Sequence, residues 1–190
     1  MTFERLTWPQ QTERLSFRPM TPADLPAVYA VRADPEVAQW MPSRPDSYED
    51  FVLRQGRFGA LDRSLVLELD GEVIGDLYLH VEDGWAQSEV KDGGLATQAE
   101  IGWCLSPRHQ GKGYATEAVT ELVRLAFEDL GLRRLTAIAF ADNTPSLAVM
   151  ERVGLHREAF FRADSLHRDL GWVDSVVYTL LADDWRTSRG

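Results

Sequence analysis

Between Ala99 and Phe140 the chain runs strand, glycine turn, helix, strand, and that order restricts the fold more than any other stretch. Ala99 to Leu105 (AEIGWCL) is a short run suited to a strand, closed by the breaker Ser106-Pro107. Ala115, Ala118, Val119, Leu122, Val123, Ala126, Phe127 and Leu130 then recur at helical spacing, and Gly131 stands where a helix C-terminal glycine belongs. Arg134 to Phe140 (RLTAIAF) is near-continuously apolar, the pattern of a strand buried on both faces beside a parallel neighbour. Two such strands joined through a helix predict a right-handed βαβ unit.

The turn inside this unit, Arg108-His109-Gln110-Gly111-Lys112-Gly113-Tyr114-Ala115, is polar and cationic. Gly111 and Gly113 remove Cβ atoms where the helix begins, so the unpaired N–H groups of its first turn are open to an anion. The helix dipole, Arg108 and Lys112 add positive charge. The dinucleotide pattern G-x-G-x-x-G fails because Thr116 replaces its third glycine, and the triphosphate pattern fails for lack of Gly-Lys-Ser/Thr.

Upstream, Thr12 to Met20 alternates like a strand at Leu15 and Phe17, and Thr21-Pro22-Ala23-Asp24 opens a helix. Asp34-Pro35 breaks that helix, leaving a short piece over 36–41. Ser47 to Asp50 predicts a capped helix reaching about Leu61. Leu65 to Leu69 and Glu72 to Val81 read as a hairpin turned by Asp70-Gly71. Asp83 to Gln98 reads as a long irregular loop, in which Trp85 either pins the loop or lines a substrate pocket. Downstream, Thr144 is placed to cap a helix with Pro145 at its first position and Leu147, Met150 and Val153 inward, ended by Gly154. Strands near Leu155 to Arg162 and Val173 to Leu181 follow, joined by a polar loop carrying Asp164, His167, Asp169 and Gly171.

A chain of 190 residues, 44% hydrophobic, suits a single domain spanning 1–190. The net charge of −10 argues against nucleic acid and favours a cationic acceptor such as an amine. No apolar run approaches a membrane span, and the N-terminus lacks a basic region before an apolar core, so the expected location is cytoplasmic. His80, His109, His156 and His167 lack metal-ligand spacing, and no metal is expected. The single cysteine, Cys104, excludes an internal disulfide and reads as a buried strand thiol rather than a nucleophile.

Taken together, Thr12-Glu13-Arg14-Leu15 with Arg18-Pro19, the Ala99 to Gly102 strand, Gln110 to Ala118 and Asn143 to Gly154 (NTPSLAVMERVG) resemble the Rim-type branch of the GNAT acetyltransferases. That branch includes ribosomal-protein N-terminal acetyltransferases, and Trp172 to Trp185 is similar to it as well. The resemblance implies an α/β GNAT fold with a mixed, twisted sheet of about six to seven strands flanked by helices. It implies transfer of an acyl group, acetyl first of all, from acetyl-coenzyme A to a primary amine on a protein N-terminus or a small molecule. Succinyl or another acyl donor is the runner-up, and a non-catalytic coenzyme A-binding module the reading from another class. A homodimer is possible, since dimers are common in the branch.

The chemistry requires a neutral amine, a stabilised oxyanion and a leaving thiolate. Glu100 matches the family's general base, with a hydrogen-bonded strand glutamate as the structural alternative. The resemblance gives Trp103, Cys104 and Leu105 the pantetheine arm through their backbone, Arg108 to Ala115 the pyrophosphate, and Asn143 and Ser146 further coenzyme A contacts, with Ser146 donating to the departing sulfur. Asp164 and His167, with Trp85, are the candidate acceptor-site residues, set against surface polar positions.

Overall fold

The computed structural model describes residues 2–57 and 59–188, without the side chains of residues 2 and 57. Among the described residues eight strands form one mixed sheet in the order β1-β2-β3-β4-β5-β6-β8-β7, flanked by helices. The strands are β1 (Gln10–Gln11), β2 (Ser16–Pro19), β3 (Ser64–Leu69), β4 (Glu72–Glu82), β5 (Gln98–Leu105), β6 (Arg134–Phe140), β7 (His156–His167) and β8 (Gly171–Leu181). The helices are α1 (Leu25–Arg32), α2 (Pro35–Ala38), α3 (Tyr48–Arg57), α4 (Tyr114–Arg124), α5 (Thr144–Arg152) and α6 (Ala182–Thr187). Tertiary contacts gather into two compact units, one of Met1–His80 with Gly102–Leu122 and the other of Val81–Ile101 with Val123–Gly190.

In the first unit the Asp70-Gly71 hairpin forms as predicted, both residues taking positive φ (50° and 81°) between paired β3 and β4. Val66 packs into a cluster with Met20, Leu25, Val28 and Phe51 under α1 and α3. Its neighbours Leu65 and Leu67 point to the opposite face by strand alternation and are just as buried. The predicted helix from Ser47 is capped as expected, Asp50 N–H donating to Ser47 Oγ at 3.1 Å. It ends at Arg57, not Leu61, because Gly59 turns left-handed (φ 58°) and a 3-10 turn over Ala60–Arg63 leads into β3; Phe58 lies outside the described residues.

Two arginines from the N-terminal elements meet carboxylates in this unit. On β2, Arg18 forks onto Asp24 at 2.8 and 2.9 Å and reaches Glu68 at 2.8 Å. Asp24 also accepts from the N–H and hydroxyl of Thr21, closing the predicted helix start. The Arg18 hydrogen bond first, with those from Thr21, outweighs desolvation and holds the Asp24 carboxyl well below its ordinary range. Arg32, in the last turn of α1, pairs with Asp76 on β4 through Nε at 2.9 Å and through Nη2. Asp76 is 2% exposed and Arg32 18%, so this pair is desolvated. Cys104 on β5 lies in the same environment and is buried as expected, its thiol pushed up by desolvation first and then by Asp76.

In the second unit β5 and β6 pair in parallel through Gln98↔Arg134, Ala99↔Leu135 and Glu100↔Thr136. Strand β6 is not buried on both faces: Leu135 and Ala137 are enclosed, whereas Ile138 is 55% exposed. The helix predicted through Leu130 is α4 continued by a π turn over Leu125–Asp129, which puts the consecutive residues Leu125, Ala126 and Phe127 inside. Gly131 (φ 70°) ends it, with Leu132 N–H reaching back to the Ala126 carbonyl at 2.9 Å. The segment 83–98 is more ordered than predicted. It holds a 3-10 turn over Ser88–Gly94 and is closed by Gly84 N–H on the Gly94 carbonyl (2.7 Å) and Ala96 N–H on Asp83 Oδ1 (2.8 Å).

The last two strands form a longer hairpin than predicted, because β7 runs on through Asp164 to His167. Its register with β8 shifts between Arg157 and Ala159 and again between Phe161 and Ser165, with Ala163 at φ 47°. Strand β7 lies at the sheet edge, with Phe160, Phe161 and Leu166 exposed.

Removing one partner of the desolvated pair leaves a buried charge, so Asp76→Leu is expected to destabilise the protein by about 3 kcal/mol, and Arg32→Met with Asp76→Leu together by less than the sum of the two single changes; urea unfolding of the two single variants and the double variant measures both. For Asp24 the folded pKa is depressed, so its contribution is present above the unfolded value near about 4 and is lost as pH falls through the folded one. Wild type should therefore lose more stability between about pH 7 and pH 3 than Asp24→Asn does, as read from urea midpoints at the two pH values.

Candidate functional site

The first unit builds the anion cradle from the close approach of two strands. A Cβ on Gly75 of β4 would fall inside the Cys104 carbonyl oxygen and 3.1 Å from Leu105 Cα, so only glycine lets β4 and the end of β5 lie together. Ser106 N–H then donates to the Ile74 carbonyl at 2.8 Å, and a 3-10 turn over Pro107–His109 follows. Gln110 folds its side-chain amide back onto the Leu105 carbonyl at 3.0 Å. Gly111 and Gly113 both take positive φ (73° and 83°), conformations that Cβ-bearing residues avoid.

Glu117 N–H makes the first helical bond, to the Gly113 carbonyl at 3.0 Å. The N–H groups of Tyr114, Ala115 and Thr116 therefore have no carbonyl within the helix to meet. A Cβ on Gly111 would touch nothing within 4 Å, so the space beside Gly111 is open. Arg108 and Lys112 are exposed beside it. His109 is half-buried, its Nδ1 enclosed without a hydrogen-bond partner, and its ring lies 6.4 Å from that of Tyr114. Geometry and charge together suit a phosphate-bearing ligand. Trp103 is half-buried, while Cys104 and Leu105 are buried.

A contact absent from the sequence reading fastens this helix start. Glu117 accepts from Thr12 Oγ1, from Arg14 N–H at 2.8 Å and from Arg14 Nε at 2.7 Å, with Arg14 Nη2 at 2.6 Å from its Oε2. Arg14 Nη1 donates to the Lys112 carbonyl at 3.1 Å, and the guanidinium stands 4.5 Å over the Tyr114 ring. Burial raises the Glu117 pKa, but the bonds from Thr12 and Arg14 outweigh it and the net direction is down. Both partners stood in the quoted motif blocks, but a pairing across about a hundred residues has no periodic signature.

The second unit carries the remaining candidates. Glu100 is half-buried on β5, opposite Thr136. Ser146 is half-buried in the first turn of α5, where its N–H donates to Asn143 Oδ1 at 3.4 Å. The cap of α5 is thus Asn143, not Thr144, because the helix already begins at Thr144 and the Asn143 oxygen stands over the N–H three residues on. Asp164 accepts from the hydroxyls of Ser165 and Ser175 at 3.2 and 3.0 Å, within the β7 bulge. His167 is buried: Nδ1 accepts from the N–H groups of Asp169 and Leu170 at 3.1 and 3.3 Å, and its ring meets Phe140 edge-on. Trp85 is 91% exposed and pins nothing. Among the described residues no cluster of three His, Cys, Asp or Glu could hold a metal, and no helix is long and apolar enough to cross a membrane.

The chain is similar to known acetyltransferases in sequence and in fold. The sequence model of the acetyltransferase (GNAT) domain matches residues 14–156. Uncharacterized N-acetyltransferase YnaD of Bacillus subtilis is 30% identical over 177 residues, 92% of this chain and 97% of that protein. The crystal structure of a GNAT-family acetyltransferase from Bacillus anthracis superposes with a TM-score of 0.75 at 29% identity, covering 91% of this chain and 98% of that one. Mycobacterium smegmatis RimJ, solved in complex with CoA-disulfide, gives a TM-score of 0.74 at 24% identity over 93% of this chain and 90% of its own.

With Asn143 as the cap, Asn143→Ala should cost about 1 kcal/mol of stability and Thr144→Ala no more than about a few tenths, as measured by thermal unfolding.

Proposed function

The chain belongs to the GNAT acetyltransferase family, with Rim-type ribosomal-protein N-acetyltransferases among its relatives, and we propose that its cradle takes the pyrophosphate of acetyl-coenzyme A for acetyl transfer to a primary amine. The observation that carries the reading is the turn in which two glycines at positive φ, Gly111 with open space at its Cβ position, precede the unmatched N–H groups of Tyr114, Ala115 and Thr116. Arg108 and Lys112 add charge that a pyrophosphate needs. When bound, acetyl-coenzyme A supplies an activated thioester. The backbone of Trp103 to Leu105 lines the pantetheine arm in this reading.

Glu100 accepts a proton from the incoming amine, directly or through water, and Ser146 donates to the departing sulfur. Asn143 holds the turn that presents Ser146, as its cap over the Ser146 N–H supports. The net charge of −10 favours a cationic acceptor, either a polypeptide N-terminus or a small amine. Trp85, exposed on a closed loop, is proposed as an acceptor contact together with Asp164 and His167 of the β7–β8 hairpin. We read the whole chain as one catalytic domain acting in the cytoplasm.

Calorimetric titration with acetyl-, succinyl- and free coenzyme A, followed by thiol release against amines and N-terminal peptides, tests the reading. Gly111→Val should weaken coenzyme A binding at least about tenfold through its strained φ. Glu100→Gln should leave binding within about twofold and lower turnover about a hundredfold, and Ser146→Ala should act in the same direction. Binding without thiol release across the panel would favour a coenzyme A-binding module, and absence of binding would refute the cradle.

A further inference from the structure

Helical side chains lean toward the helix N-terminus, so the carboxylate of Glu117, one turn into α4, lies on the side of the unmatched N–H groups. A free carboxylate there competes with an incoming anion for those groups and repels it. The structure meets this with a dedicated counter-ion. Arg14 binds Glu117 through Nε and Nη2, Thr12 and the Arg14 N–H take its other oxygen, and every one of these bonds draws the carboxylate toward the 12–15 segment. Arg14 also holds the Lys112 carbonyl, a second negative pole of the loop, with Nη1. Gly113 makes room for this: a Cβ there would stand 3.4 Å from Arg14 Nη2.

We infer that Arg14 is a positioning residue of the coenzyme A site, which neutralises Glu117 and draws it aside so that the first turn of α4 meets the ligand's phosphates without a competing charge. The inference rests on the reading that the cradle takes a pyrophosphate. It gives a reason for an acidic residue beside a phosphate site: Glu117 anchors the glycine loop to the 12–15 segment, and Arg14 cancels the electrostatic cost of the anchor.

The test compares two acyl donors, acetyl-coenzyme A and acetyl-pantetheine, which shares the thioester arm but has no phosphate. Wild type should show a far lower KM for acetyl-coenzyme A; equal KM for the two donors would defeat the pyrophosphate reading itself, whatever Arg14 does. Given that preference, Arg14→Ala should raise the KM for acetyl-coenzyme A about five- to tenfold, with kcat and the acetyl-pantetheine parameters within about twofold of wild type. Adding Glu117→Gln to Arg14→Ala should restore the KM for acetyl-coenzyme A to within about twofold, because the charge that needed cancelling is gone while the amide oxygen can still anchor the loop by accepting from Thr12 and the residue-14 N–H. A purely structural clamp predicts the reverse, an equal or greater loss in the double variant and a loss with both donors, and that result would overturn the inference. Should Arg14→Ala not fold, Glu117→Gln alone decides: acetyl-coenzyme A KM no higher than wild type supports the inference, and a rise above about threefold refutes it.

Discussion

The contact between β4 and the end of β5 sets the geometry from which the cradle follows. Because Gly75 has no side chain, the Cys104 carbonyl and Leu105 Cα approach the β4 backbone closely, and Ser106 bonds to Ile74 just beyond. That fixes where β5 stops and where the polar turn leaves the sheet. Gln110 then ties the turn back to Leu105, leaving Gly111 and Gly113 to carry the reversal into α4. An alanine at position 75 disturbs the cradle without touching it.

Electrostatics in the first unit follow one arrangement repeated three times. Arg14, Arg18 and Arg32 come from neighbouring N-terminal segments, and each meets a carboxylate distant in sequence, Glu117, Glu68 and Asp76 respectively, with Arg18 also holding the nearby Asp24. The environments differ, and so do the consequences. Asp76 is fully desolvated and its pairing with Arg32 ties α1 to β4, whereas Arg14 is 42% exposed and its salt bridge contributes little stability by itself. In a chain of net charge −10, the exposed pair matters through the field at the helix start and the buried one through folding.

Local rules recovered much of this architecture from the sequence. The Asp70-Gly71 turn, the inner face of α4 with its Gly131 ending, and the parallel β5–β6 pair each carry a periodic or turn signature. The sheet gains an eighth strand because Gln10–Gln11, too short for any periodicity, pairs with β2. The length of β7 was obscured for a related reason: two register shifts break the alternation that marks a strand. The cap of α5 was misread because Asn143 and Thr144 are both capping types, and only the backbone places the Asn oxygen over the Ser146 N–H. For the candidate site, the glycine loop was legible from residue type alone, while the Thr12–Arg14–Glu117 clamp depends on a fold-level juxtaposition.

The irregular edge strand has a consequence for behaviour in a crowded solution. A twelve-residue border strand bearing Phe160, Phe161 and Leu166 would, if flat, offer its free backbone groups and apolar side chains as a template for the strands of other molecules. The two bulges and the left-handed Ala163 break that border into short, kinked pieces, and Arg157, Glu158 and Arg162 intersperse charge along it. The irregularity that hid β7 in the sequence thereby guards the molecule against sheet-to-sheet aggregation.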